Sequence, residues 1–164
     1  MENMNEYATY INVLTTSLRK KVSILEKLVK VTDEEEVLLK KDGVTVEEIE
    51  EKEQEKGKYL ESLELADEGF EKVFQRIKDE FEENKYQYEE EIKTMQTLIK
   101  KITDMTVKIQ AQEVRNKQLM EFFFQQKKRD IRSFHNSKRT VNQYQQNMVN
   151  RNVNGQAYFL DSKR

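Results

Sequence analysis

Asp42-Gly43-Val44-Thr45-Val46-Glu47-Glu48-Ile49 holds the stop of one helix and the start of the next. Glycine closes a helix because it enters the left-handed conformation without steric cost. Thr45 and Glu48 have the spacing of a capping box, in which each side chain satisfies a backbone donor that the first helical turn leaves free. One helix therefore ends at Asp42-Gly43 and another starts at Val46. Upstream, Ile11, Leu14, Leu18, Leu25 and Leu28 recur at steps of three, four and seven, which is one stripe of a helix. Val22 and Val29 widen that stripe. The spacing predicts a helix over Met4–Lys41, about 57 Å long at about 1.5 Å per residue.

Downstream of the turn a seven-residue register runs for a long way. Its core positions include Val46, Ile49, Leu60, Leu63, Phe70, Phe74, Ile77, Phe81, Tyr88, Met95, Leu98, Ile102, Met105, Ile109, Leu119 and Phe123. A seam sustained this far argues for coiled-coil packing. It turns polar at Glu53, Lys56, Asp67, Asn84, Glu91, Gln112 and Asn116. Asp67-Glu68-Gly69 reads as a break, with Asp67 able to cap a following helix, and Glu83-Asn84-Lys85 as a weaker one. The preferred layout is three helices, Met4–Lys41, Val46–Ala66 and Phe70–His135, with the first two antiparallel against the long third.

Composition supports the same class. No proline occurs among the 164 residues and only four glycines, so the commonest helix breaker, worth roughly 3 kcal/mol in a helix interior, is missing. Charged residues at 37% and apolar residues at 36% suit long helices with narrow seams better than a thick core. The fold class expected is all-α, an elongated antiparallel coiled-coil bundle of about three long helices. Residues 136–156 are rich in Asn and Gln and poor in apolar side chains, so a weakly ordered, basic, polar C-terminal tail (136–164) is expected to follow a helical coiled-coil domain (1–135). Without cysteine, neither disulfides nor thiolate metal sites contribute. The start of the chain lacks a secretory signal pattern and no apolar run reaches the length of a membrane span, so the cytoplasm is the expected compartment.

The net charge is only −2 but unevenly spread. Asp33 to Glu91 carries 23 acids against 9 bases, net −14, while Val114 to Arg164 carries 3 acids against 11 bases, net +8. The acidic stretch reads first as a solvated helix surface. Catalysis finds little footing. His135 is the one histidine and reads as a solvated residue near a helix end. Glu34-Glu35-Glu36 and Glu89-Glu90-Glu91 cannot converge on one metal, because consecutive helical residues point about 100° apart. No Gly-rich phosphate loop occurs. No enzyme activity, metal or cofactor is expected.

The informative region lies between Glu113 and Met148. Phe122, Phe123 and Phe124 are consecutive, so they cover about 200° of a helix. Phe123 continues the long seam; Phe124 belongs to a second stripe of Met120, Phe124, Ile131, Phe134, Val141 and Met148. That stripe is the seam rotated by about 100°. Two readings stay open: the third helix rolls and the first helix covers the new stripe, or the stripe is a partner-binding face, for which Met and aromatic residues are suited. Lys127, Lys128, Arg129, Arg132, Lys138 and Arg139 flank it, either as a solvated surface or as a steering surface for an acidic partner. Nothing specifies a groove for nucleic acid, and none is expected as a partner.

Ile109-Gln110-Ala111-Gln112-Glu113-Val114-Arg115-Asn116-Lys117, with its Glu-x-x-Asn step after a long amphipathic run, resembles the late helix of FlgN-type chaperones. Ser137-Lys138 with Tyr144 and Met148 resembles that family's C-terminal segment. Tyr158-Phe159-Leu160-Asp161-Ser162-Lys163-Arg164 is similar to the aromatic-then-charged finish of some members. The likeness covers roughly the last third of the chain; elsewhere the helical layout matches. It implies a flagellar type III export chaperone. Such a protein binds the hook-filament junction proteins, prevents their premature assembly and delivers them to the export gate. In that family the C-terminal part contacts cargo, a role that would fall here on Leu119, Met120, Phe123, Phe124, Ile131, Phe134 and Tyr144. A chaperone is expected to be a monomer or homodimer without cargo; the alternative reading is a structural coiled-coil tether or self-assembling rod.

Overall fold

A computed structural model describes residues 3–127. Three helices account for most of them: α1 (Asn3–Lys40), α2 (Val46–Glu83) and α3 (Glu89–Gln126), each of 38 residues. No strand occurs among the described residues. The first turn forms as its residues dictate. Gly43 takes φ 75°, and the Thr45 side chain accepts from the Glu48 backbone N–H while Glu48 Oε2 accepts from the Thr45 N–H. Val44, just before the cap, and Ile49, in the next turn, are both buried in one small cluster, the staple that fixes the angle at which α2 leaves the turn.

The second break differs from the expected one. Helix α2 runs through Asp67-Glu68-Gly69 and stops at Asn84, so the Val46–Ala66 and Phe70–His135 helices are replaced by Val46–Glu83 and Glu89–Gln126. Tertiary packing overrides the local signals there. Leu63, Ala66, Phe70 and Phe74 are buried on one face, and Asp67, read as a cap, instead accepts from Lys21 of α1 at 2.7 Å. An interior glycine costs a helix only about 1 kcal/mol, less than that burial returns. The turn at 84–88 is tied to Glu80: Asn84 N–H donates to its carbonyl at 3.0 Å, and Asn84 Nδ2 and Tyr88 O–H donate to its carboxylate at 2.9 and 3.2 Å. Phe81 and Tyr88 pack edge to face across the turn, with ring centroids 5.5 Å apart.

Two short turns make α2 antiparallel to both neighbours and leave α1 and α3 parallel. The shared partner is α1, which lies closely against both α2 and α3; the expectation that α3 would serve as the common platform is thereby corrected. The reason is amphipathic width. On α1, Leu14, Leu18, Val22, Leu25 and Leu28 are buried together with Ile24 and Val31, a face broad enough for two partners. The seam of α2 is buried at Ile49, Leu60, Leu63, Phe70, Phe74, Ile77 and Phe81 as its register predicts, polar members Glu53 and Lys56 included, while Val46 and Asp67 are half-buried. On α3, Met95, Ile102, Ile109 and Phe123 are buried as expected, but Leu98, Met105 and Leu119 are only half-buried. Ile99, Thr106, Glu113 and Met120 take their place, one residue further round the helix.

Candidate functional site

The core is not continuous along the bundle. Eighteen buried residues form a large cluster from Ile11, Phe81 and Tyr88 at one end to Leu28, Leu60 and Ile109. A second cluster at the other end holds, among the described residues, Val44, Ile49, Met120, Phe123 and Phe124, ringed by Leu38, Leu39 and Val46. Between them lies a buried polar layer made by all three helices.

Lys56 of α2 is the centre of that layer and only 2% exposed. Its Nζ lies 3.0 Å from Glu35 Oε1 of α1, 2.8 Å from Glu113 Oε1 of α3 and 3.0 Å from Glu53 Oε1 one turn away on α2. Asn116 extends the layer, donating from Nδ2 to Glu35 Oε1 at 3.0 Å and to the Thr32 carbonyl at 2.9 Å. Gln112 Nε2 donates to Asn116 Oδ1 at 2.9 Å and to Glu36 Oε2 at 2.8 Å, leading the network outward to Lys40, which pairs with Glu36. Arg115 donates to Gln112 Oε1 at the rim.

Three carboxylates around one ammonium cannot all ionise at low cost in a buried site. Burial pushes the Glu53 carboxyl up, its hydrogen bond with Glu35 pushes it further, and it reaches about 10, so Glu53 is neutral at pH 7. The geometry requires the same proton. With every carboxylate ionised, Glu35 Oε2 has no donor and Glu53 has only the ion-pair contact of Lys56 Nζ with its Oε1, whereas a protonated Glu53 donates to Glu35. Burial also opposes charge on Glu35, but that hydrogen bond and the Lys56 ammonium outweigh it and hold the Glu35 carboxyl below the usual range. For Lys56, burial favours the neutral amine; the three surrounding carboxyl groups overcome it and keep the ammonium. Buried ion networks of this kind add little net stability, but removing one partner is costly.

Beyond the layer, Phe123 and Phe124 meet edge to face with centroids 5.7 Å apart, and Lys127 Nζ stands 5.7 Å from the Phe123 ring centroid. Of the residues singled out for cargo, Met120, Phe123 and Phe124 are buried in the end cluster and Leu119 is half-buried. The start of the second stripe is thus covered within the chain by the α1–α2 turn. Ile131, Phe134 and Tyr144 lie outside the described residues, as does His135. Among the three phenylalanines it is Phe122 that faces outward, 59% exposed, on the same side of α3 as Val107 and Val114. A shallow open cleft of about 470 Å³ lies at the opposite end of the bundle, between Ile11 and Asn12 of α1 and Tyr88 and Glu91.

The Lys56 layer was visible in the sequence only as lapses in the apolar register, at Glu53, Lys56, Gln112 and Asn116. Their density was the available signal. Glu35 and Glu113 carried none, since Glu35 sits inside an acidic run and Glu113 falls off the seam as read.

The fold and its layered core define the class: an all-α bundle of three long helices. Residues 3–151 match the family described as FlgN protein, and the chain belongs to that family, whose members are flagellar export chaperones that bind export substrates. No curated protein and no solved structure matches the chain. Among the described residues no helix is long and apolar enough to cross a membrane, and no cluster of His, Cys, Asp and Glu is placed to hold a metal ion.

Proposed function

We propose that this chain binds hook-filament junction proteins in the cytoplasm, prevents their premature assembly and delivers them to a component of the export gate. The family match over residues 3–151 carries this reading, because it spans the end of α3 and the amphipathic stretch after it. Cargo contact is assigned to Leu119, Met120, Phe123, Phe124, Ile131, Phe134 and Tyr144. Covering about 800 Å² of apolar surface would be worth on the order of 20 kcal/mol gross. Association and ordering costs consume much of that, leaving micromolar to nanomolar affinity.

Light scattering of a purified hook-filament junction protein tests the reading. An equimolar amount of the full chain is expected to suppress its self-assembly. The double variant Ile131→Asp/Phe134→Asp is expected to lose most of that effect. A full chain that leaves assembly unchanged overturns the proposal; an unimpaired double variant removes those two residues from the site. Sedimentation of the chain alone addresses the tether or rod alternative, which requires mass growing steadily with concentration where the chaperone stays monomeric or dimeric.

A further inference from the structure

We infer that the Lys56 layer divides the bundle into two cooperative units, so that the end of α3 beyond Asn116 detaches from the α1–α2 turn while the rest of the bundle stays folded. The inference rests on the chaperone reading only for its purpose: detachment uncovers Met120, Phe123 and Phe124, three of the residues assigned to cargo, which the closed bundle buries.

Cooperativity in a helical bundle comes from continuous burial of apolar side chains, and local openings follow boundaries where that continuity fails. Here it fails at one level in all three helices, at Glu35 of α1, Glu53 and Lys56 of α2, and Glu113 and Asn116 of α3. No buried residue belongs to both apolar clusters. Among the described residues the two sides are also unequal, with eighteen buried residues against five, so the smaller side opens first.

The layer favours opening in a second way. Separating an apolar interface exposes surface that water solvates poorly. Water entering this layer instead meets an ammonium, carboxylates and amides, and hydration offsets the lost pairs. The element that leaves is set by what remains tied. Residues 38–49 are held as one hairpin by the Gly43 turn, the Thr45–Glu48 capping box and the Val44–Ile49 staple. Among the described residues the end of α3 has no such closure. Beyond Asn116, Met120, Phe123 and Phe124 pack into that hairpin.

Native-state hydrogen exchange on the full chain without substrate tests this directly. Amides of residues 118–126 are expected to share one opening, populated at least ~100-fold more than the opening that exposes amides of 63–77 and 95–109. Equal protection at both ends overturns the inference. So does protection that declines turn by turn toward Gln126, since that is ordinary fraying. The second variant joins the clusters by filling the layer with apolar groups, Glu35→Leu/Glu53→Leu/Lys56→Met/Glu113→Leu. Protection of 118–126 is then expected to rise to that of the core. If this variant folds and its end still opens as in the parent, the layer is not the boundary. If it does not fold, Glu53→Gln substitutes: with no proton for opening to release at pH 7, it is expected to cut the opening at least ~10-fold, and an unchanged opening overturns the role of the layer. No substrate is present in any arm, so failure here leaves the chaperone reading to its own titration.

Discussion

Glu53→Gln is expected to stabilise the folded chain at pH 7, although it removes a member of a buried ionic network. The Glu53 carboxyl has an ordinary value of 4.5 and is pushed up to about 10 by burial and by Glu35. Its folded value is therefore raised, so its contribution is fully present below about pH 4.5 and is lost as pH rises toward 10. At pH 7 the unfolded chain has released this proton and the folded chain still holds it. The interval from 4.5 to 7 is about 2.5 units, which at 1.36 kcal/mol per unit sets an upper bound of about 3 kcal/mol. Glu53 is 2% exposed, so solvent screening discounts little of that. Gln keeps the shape, donates from its amide toward Glu35 and has no proton to lose. A gain of about 1–3 kcal/mol is expected at pH 7, shrinking toward zero near pH 4. Urea unfolding of both proteins across pH 4–8 measures it. A variant less stable than its parent at pH 7, or a difference that does not change with pH, would show that Glu53 is ionised in the folded chain and that the proton assignment is wrong.

Lys56→Met strips the central, buried cation from the layer and leaves ionised carboxylates around it without their counter-charge, a loss of about 3–5 kcal/mol and roughly 10 °C in melting temperature. Calorimetry should show a far smaller loss, about 1 kcal/mol, for Lys21→Met, because its partner Asp67 has a side chain 36% exposed. Alanine at two glycines is expected to act in opposite directions. Gly69→Ala, within α2 with nothing within 4 Å of an added Cβ, stabilises by about 0.5–1 kcal/mol. Gly43→Ala, at φ 75°, destabilises by about 1 kcal/mol, with chemical denaturation as the readout for both.

Local chemistry was legible in the sequence where it acts alone. The turn at 42–49 could be read because a left-handed glycine and a capping box are decided by the residues that form them. The second turn could not. Gly69 and Asp67 looked like a helix end, yet burial of Leu63, Ala66 and Phe70 and the reach of Lys21 carry the helix past them. Phe81 and Tyr88 stand seven residues apart and meet in one cluster, so the register appeared to run on through the actual break. On α3 the buried line through Ile99, Thr106, Glu113 and Met120 was hidden by its two polar members. Met120 consequently looked like the first residue of a fresh face, although it is the last described member of a line buried since Ile99. Of the open alternatives for that face, the described residues show cover by the turn between α1 and α2 at Met120 and Phe124; the rest of the stripe lies beyond Lys127.

Binding of substrate by the C-terminal part of the chain is the central functional claim. Since Met120, Phe123 and Phe124 help to close the bundle, a chain ending at Lys127 is the cut that keeps all three described helices. Titration calorimetry of a hook-filament junction protein against the full chain is expected to give a dissociation constant at or below about 1 μM, near −8 kcal/mol. The shortened chain should retain its helicity and bind at least ~10-fold more weakly, a loss of about 1.4 kcal/mol. No binding by the full chain, or undiminished binding by residues 1–127, would contradict the account.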